Sequence, residues 1–181
     1  MTWQVDNAHT HISFVARHMM ITKVRGEFAK YDIVVNYDEE QPARSTVEAT
    51  IYTDSINTRD ERRDGHLRSA DFLDAATYPA MTFKSKRVEQ LANGHGQLIG
   101  DLTIRDVTRE VALDVEFYGL AKSPWGTTSA GFCGLTKLDR REWGLTRNQA
   151  LETGGWLVGD QISIEIEVEL IKVADAVAEL A

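Results

Sequence analysis

The sequence predicts an all-β fold of eight antiparallel strands with one short helix. Three observations carry that reading. Apolar residues recur at every second position in eight separate stretches, the period of a strand with one buried face. Short polar or glycine-bearing turns join most of these stretches. That fits antiparallel pairing, because parallel pairs need a long crossover, usually a helix, and only one helix signal is found. The 181 residues suit one domain with a sizeable core. Eight such strands either pack as two sheets or close into a barrel, and alternation alone leaves both open.

The first strand puts Ile12, Phe14, Ala16 and His18 on one face and Ser13, Val15 and Arg17 on the other. Lys23 to Gly26 reads as a turn, and Phe28 to Tyr37 as a second strand carrying Ile33 and Val35. The parity of its large residues changes between Phe28 and Ile33, which predicts a bulge. Asp38 to Arg44, polar and containing Pro42, reads as a turn. The third strand, Thr46 to Tyr52, points Val47, Ala49 and Ile51 inward. Thr58 and Glu61 then stand at capping-box spacing ahead of a helix that is almost all charge from Asp60 to Asp64. Leu67, Phe72 and Leu73 supply its apolar foot. A helix this polar, hung between two half-buried strands, reads as a flap over an open end of the sheet or barrel.

The fourth strand runs from Ala80 to Val88 with Met81 and Phe83 inward. Asn93-Gly94 is a strong two-residue hairpin signal. It leads to the fifth strand, with Leu98, Gly100, Leu102 and Ile104 on one face. The sixth, Arg109 to Gly119, aligns Val111, Leu113, Val115 and Phe117. Pro124 and Gly126 mark the next loop, and the seventh strand runs from Thr127 to about Leu138. A long excursion from Arg140 to Gly159 holds Trp143 and Trp156. The last strand alternates Ile162, Ile164, Ile166, Val168 and Leu170 with Ser163 and three glutamates. Residues 1–173 read as the domain, and 174–181 as a short tail, helical or frayed.

Charge and motifs exclude several functions. Lys and Arg total 20 against 28 Asp and Glu, a net charge of −8, which disfavours a nucleic-acid partner without a local basic patch. Arg59, Arg62 and Arg63 are interleaved with Asp60, Glu61 and Asp64 and read as a solvated face. One cysteine, Cys133, rules out an intrachain disulfide and a cysteine-based zinc cluster; beside Phe132 it is expected to point outward. No run approaches the roughly 18 apolar residues of a membrane span. Met1 to Asp6 carries no signal-peptide pattern, so the expected location is cytoplasmic. No apolar carboxylate pair, phosphate loop, nucleophile elbow or HExxH motif appears, and the expectation is a non-enzyme without a cofactor. His9 and His11, two apart on a strand, with His66 as a third ligand, form the alternative of a metal-dependent enzyme. Against it, His9 and His66 are expected to hold loops by hydrogen bonds to backbone. Trp125, Trp143 and Trp156 lie in loops, where they ring an entrance or cap the core.

Four motifs in order carry a resemblance. They are Asp6-Asn7-Ala8-His9-Thr10-His11-Ile12-Ser13-Phe14 through His18, then Gly26 to Phe28, then Asp64-Gly65-His66-Leu67 with Asp71-Phe72, Tyr78-Pro79 and Thr82-Phe83, and last Gly131-Phe132 with Asp139-Arg140. From about Trp3 to Lys172 the chain resembles the YceI-like family of polyisoprenoid-binding proteins. The resemblance implies a lipocalin-like barrel whose lumen binds a long isoprenoid, such as a quinone or polyprenyl compound, or a similar lipid, without chemistry. Matching motifs implicate His9, Phe14, His18, Asp64, His66, Leu67, Phe72, Phe83, Phe132 and Arg140, with His18, His66 and Arg140 as polar contacts near a head group. Strand alternation adds Ile12, Ala16, Ile33, Val35, Ala49, Ile51, Met81, Leu98, Gly100, Leu102, Val115, Phe117, Ile164 and Ile166 to the lining. The small residues Ala16, Ala49 and Gly100 argue for free space. Three departures stand out: Thr10 replaces the family's usual serine, Asp106 a turn glycine and Glu110 a proline. Beside this reading stand the metal-dependent enzyme and a dimeric interaction module with a filled barrel.

Overall fold

The alternation builds an all-β antiparallel sheet, with eleven strands among the described residues instead of eight. The computed structural model describes residues 2–173, Gln90 and Leu91 by backbone alone; the expected tail at 174–181 lies outside them. In chain order the strands are β1 (Thr2–Val5), β2 (His11–His18), β3 (Thr22–Phe28), β4 (Tyr31–Asn36), β5 (Thr46–Tyr52) and β6 (Ile56–Asn57). After helix α1 (Glu61–Arg68) come β7 (Ala80–Ala92), β8 (His95–Ile104), β9 (Val107–Lys122), β10 (Thr128–Asp139) and β11 (Val158–Val173). The sheet order is β4-β5-β7-β8-β9-β10-β11-β2-β3-β6, with β1 beside β11.

Two of the three additional strands, β1 and β3, have physical reasons. β11 is 16 residues long, and two strands share one of its edges: β2 pairs with Val158 to Glu167, and β1 with Leu170 to Val173. β1 is too short to show a period, yet it buries Trp3. β3 contains the Lys23–Gly26 segment expected to turn; its charged residues face out while Gly26 and Phe28 are buried. The turn comes earlier, at Met19 and Met20, both at positive φ (51° and 65°). The predicted bulge between Phe28 and Ile33 is instead a corner at Ala29-Lys30. There the chain leaves β3, which pairs with β2, and enters β4, which pairs with β5 at the far end of the sheet.

The curl brings the sheet's ends together without a closing ladder. Tyr31 Oη, on the end strand β4, donates to the Thr10 carbonyl just ahead of β2. Register shifts at Ser85/Arg87, Gly131/Phe132 and Val158/Ile162 sharpen the coiling. The Asn93-Gly94 turn forms with both residues at positive φ, as a two-residue hairpin of this type demands. Helix α1 is capped by Asp60, whose side chain accepts from Arg63 N at 3.0 Å. Thr58, expected as the cap, is buried and binds Asp64.

The core divides. One cluster, including Ile51, Met81, Ile104, Leu138, Trp143 and Leu145, gathers toward the end that carries α1. The other, Trp3, Ala130 and Leu170 with Tyr37, Phe117 and Phe132 against them, sits at the opposite end.

Candidate functional site

Between the two clusters lies a cavity of about 700 Å³ with a predominantly aliphatic and aromatic lining. Its wall is made by the inward residues of the strands. Of the residues read from the sequence as ligand contacts, Ile12, Phe14, Ala16, Ile33, Val35, Ala49, Ile51, Met81, Phe83, Leu98, Leu102, Val115, Phe117, Phe132, Ile164 and Ile166 line it, as do Leu67, Phe72 and Arg140. A lumen filled by its own side chains is therefore excluded.

Gly100, His66 and His18 do not line the cavity, nor do His9 and Asp64 from the matching motifs. Gly100 leaves no free space: a Cβ there would stand 2.5 Å from Lys84 O and 2.6 Å from the Phe83 ring, so the glycine admits its neighbours. His66 lies on the exposed side of α1, with Nε2 2.7 Å from Asp71 Oδ2 and its ring edge-on to Phe72. His18 ends β2 beside the Met19-Met20 turn.

Arg140 does reach the cavity wall, but its guanidinium serves the protein. Buried to 5% exposure, it donates to the carbonyls of Leu145, Arg147 (3.1 Å), Gly159 (3.0 Å) and Val158 (3.4 Å), and to Asp160 at 3.4 Å. Burial pushes its pKa down, while Asp160 and Asp139 pull it up. The excursion after β10 is pinned by this side chain. Next to it, Arg141 holds the Asp139 carboxyl down to about 2 through hydrogen bonds to both of its oxygens.

The lining also includes residues that alternation did not reach: Phe28, Ile56, Leu73, Trp143, Leu145 and Val158. They come from β3, β6, the loops and the very start of β11, where no period signals a face. Trp143 caps the core, fully buried, with its Nε1 donating to Leu102 O at 3.1 Å. Trp125 and Trp156 are exposed.

Among the described residues, the exposed members of the lining all lie at one end. They are Glu39, Pro42, Ala92, Asn93, Gly94 and His95, from the β4–β5 connection and the β7–β8 hairpin. At the α1 end the lining residues Phe72, Leu73, Leu138, Arg140, Trp143 and Leu145 are buried. The mouth thus faces away from the helix, and α1 with its apolar foot closes the floor.

The histidines expected to share a metal are apart. His66 pairs with Asp71, and His11 is exposed on β2. Among the described residues the cluster with ligand spacing is Asp6, His9 and Glu169, with His9 Nδ1 2.7 Å from Asp6 Oδ2 and 3.9 Å from Glu169 Oε2. The hydrogen bond to Asp6 raises the pKa of His9, so the contact works as a clamp on the β1–β2 turn. Cys133 does point away from Phe132, but it is buried beneath Tyr118. Burial raises the thiol's pKa, and the hydrogen bond with Cys133 pushes the Tyr118 phenol up to about 12.

Against this geometry, the profile of the YceI-like domain matches residues 3–170. The chain belongs to the YceI-like family. A UPF0312 protein of Staphylococcus aureus (strain USA300) is 37% identical over 165 residues, covering 91% of this chain and 94% of the relative. The crystal structure of the Campylobacter jejuni YCEI protein superposes with a TM-score of 0.74 at 33% identity, over 87% of this chain and 90% of that one. A polyisoprenoid binding domain from Saccharophagus degradans shares the fold at a TM-score of 0.64 and 14% identity, over 94% of this chain and 98% of that one. The curled sheet is thus the YceI-like fold.

Proposed function

We propose that this YceI-like protein is a non-catalytic carrier that holds a long isoprenoid, or a lipid of similar shape, in the cavity. The observation that carries the reading is the apolar space of about 700 Å³ with a single wet end. At about 30 Å³ for each water-sized group, it accommodates roughly 20 to 25 heavy atoms, or four to five prenyl units. Four units buried at about 0.8 kcal/mol per methylene contribute on the order of 15 kcal/mol gross. A micromolar site needs roughly 8 kcal/mol net, which leaves room for the cost of ordering the chain. A longer tail folds back or emerges between the β4–β5 connection and the β7–β8 hairpin.

The ionisable groups in the described lining support carriage without chemistry. Arg140 is consumed by carbonyls and Glu39 is paired with Lys172; Tyr37 and His95 remain. The polyisoprenoid binding of the Saccharophagus degradans domain points to the same ligand class. Organic extraction of the native protein followed by mass spectrometry is the test. A stoichiometric prenyl or comparable long-chain lipid is expected. Protein that stays empty when offered such lipids would overturn the reading.

A further inference from the structure

The rim of the mouth carries a charge arrangement that bears on the head group, and the inference rests on the carrier reading above. Trp3 of β1 and Lys172 of β11 are register partners, so they share a face of the sheet. Lys172 stands two residues beyond Leu170, which lines the cavity, so its side chain is directed to the same inner side. The ammonium of Lys172 is thus placed at the mouth. Glu39 intercepts it: Glu39 Oε1 accepts from Lys172 Nζ at 2.5 Å and from Trp3 Nε1 at 3.2 Å. Lys172 Nζ also lies 5.3 Å from the centre of the Trp3 ring. Glu39 is the one carboxylate among the described lining residues. The cation among the described lining residues, Arg140, is committed at the opposite end.

We infer that Glu39 sets the head-group preference of the carrier. By occupying Lys172 it cancels that cation, and it places a carboxylate where the head group of a bound isoprenoid emerges. A diphosphate there meets a like charge and a cation already taken. A quinone or polyprenol meets the Tyr37 and Ser45 hydroxyls, the Asn93 amide and the His95 ring, hydrogen-bonding groups of the lining. The preferred ligand is therefore an uncharged isoprenoid.

The test uses geranylgeraniol and geranylgeranyl diphosphate, which share one tail and differ only in the head. Their affinities are measured on the full chain at low salt. The alcohol is expected to bind the wild type about tenfold tighter or more. Glu39→Gln keeps the shape of the rim and frees the Lys172 charge; it is expected to strengthen diphosphate binding by about tenfold and move the alcohol by less than about twofold. Adding Lys172→Met to Glu39→Gln is expected to cancel that gain. Equal or tighter binding of the diphosphate by the wild type overturns the preference, as does an unchanged ratio in Glu39→Gln. If neither ligand binds, the carrier reading itself falls and takes the preference with it.

Discussion

Thr58 gives both its hydroxyl and its main-chain N–H to one oxygen of Asp64, at 2.5 and 2.9 Å. Both residues are buried, and Arg63 closes the ring by donating to Thr58 Oγ1 at 2.7 Å and to Thr58 O at 2.8 Å. This knot ties the first turn of α1 to the end of β6 and so fixes the floor of the cavity. Asp64→Ala leaves a buried N–H and hydroxyl without an acceptor and is expected to destabilise the fold by about 2 kcal/mol. Asp64→Asn keeps an acceptor oxygen and should cost less. Urea unfolding of the two variants measures both, and equal stability of Asp64→Ala and wild type would show that the knot does not anchor the helix.

Gly100 is filled from its neighbours' side. Gly100→Ala drives a methyl against Lys84 O, a backbone atom that cannot step aside, and against the Phe83 ring. The expected loss is about 1–3 kcal/mol, with Phe83 displaced. Thermal unfolding together with the aromatic resonances of Phe83 reports it. A stability equal to wild type would mean that the wall yields there.

The β2–β3 turn places two methionines in the left-handed region, where Asn93-Gly94 does the same job in the β7–β8 hairpin without strain. Non-glycine residues pay about 1–2 kcal/mol in that conformation. Replacing Met19 and Met20 by Asn and Gly is therefore expected to raise stability by about 1–2 kcal/mol, less whatever the packing of Met20 against Gly155 contributes. A fall in the unfolding midpoint would show that the methionines stabilise more by packing than they cost in strain.

The His9–Asp6 clamp has a defined pH window. The Asp6 carboxylate raises the pKa of His9 above 6.5, so its contribution is full below that value and is lost as pH climbs through the folded-state pKa. The hydrogen bond from His9, then that from the Ala8 N–H, lowers Asp6 below 3.8, so its contribution holds above that value and fades as pH falls through the depressed one. The clamp is complete between the two. An NMR titration is expected to find His9 titrating above 6.5 in the wild type and returning toward it in Asp6→Asn. A wild-type value at or below 6.5 would contradict the pairing.

How much of this was legible follows from what a period can report. β11 and β9, long and strictly alternating, declared both their existence and their inner faces. The Asn93-Gly94 turn named its own geometry. β1 and β3 were hidden, the first because four residues hold no period, the second because Lys23, Arg25 and Gly26 look like a turn when their partners are unknown. A helix cap was read one turn position early because Thr58 and Asp60 are both capping residues, and only burial separates them. For the cavity, alternation identified which side chains face inward but not whether space remains between them. Gly100 was accordingly mistaken for room; Leu73 was legible as part of the helix's apolar foot and Trp143 as a loop tryptophan at an entrance or on the core, while Leu145 carried no signal. The mouth depends on which lining residues meet solvent, a property of the assembled sheet.

Val115 lies on β9 between Gly96 of β8 and Gly134 of β10, at the cavity wall. Native mass spectrometry of the wild type and Val115→Trp, each incubated with geranylgeraniol, tests the central claim most directly. A one-to-one complex is expected in the wild type and its loss in Val115→Trp, with the variant still folded by circular dichroism. No complex in the wild type, or one equally occupied in the variant, would contradict a ligand held inside the sheet.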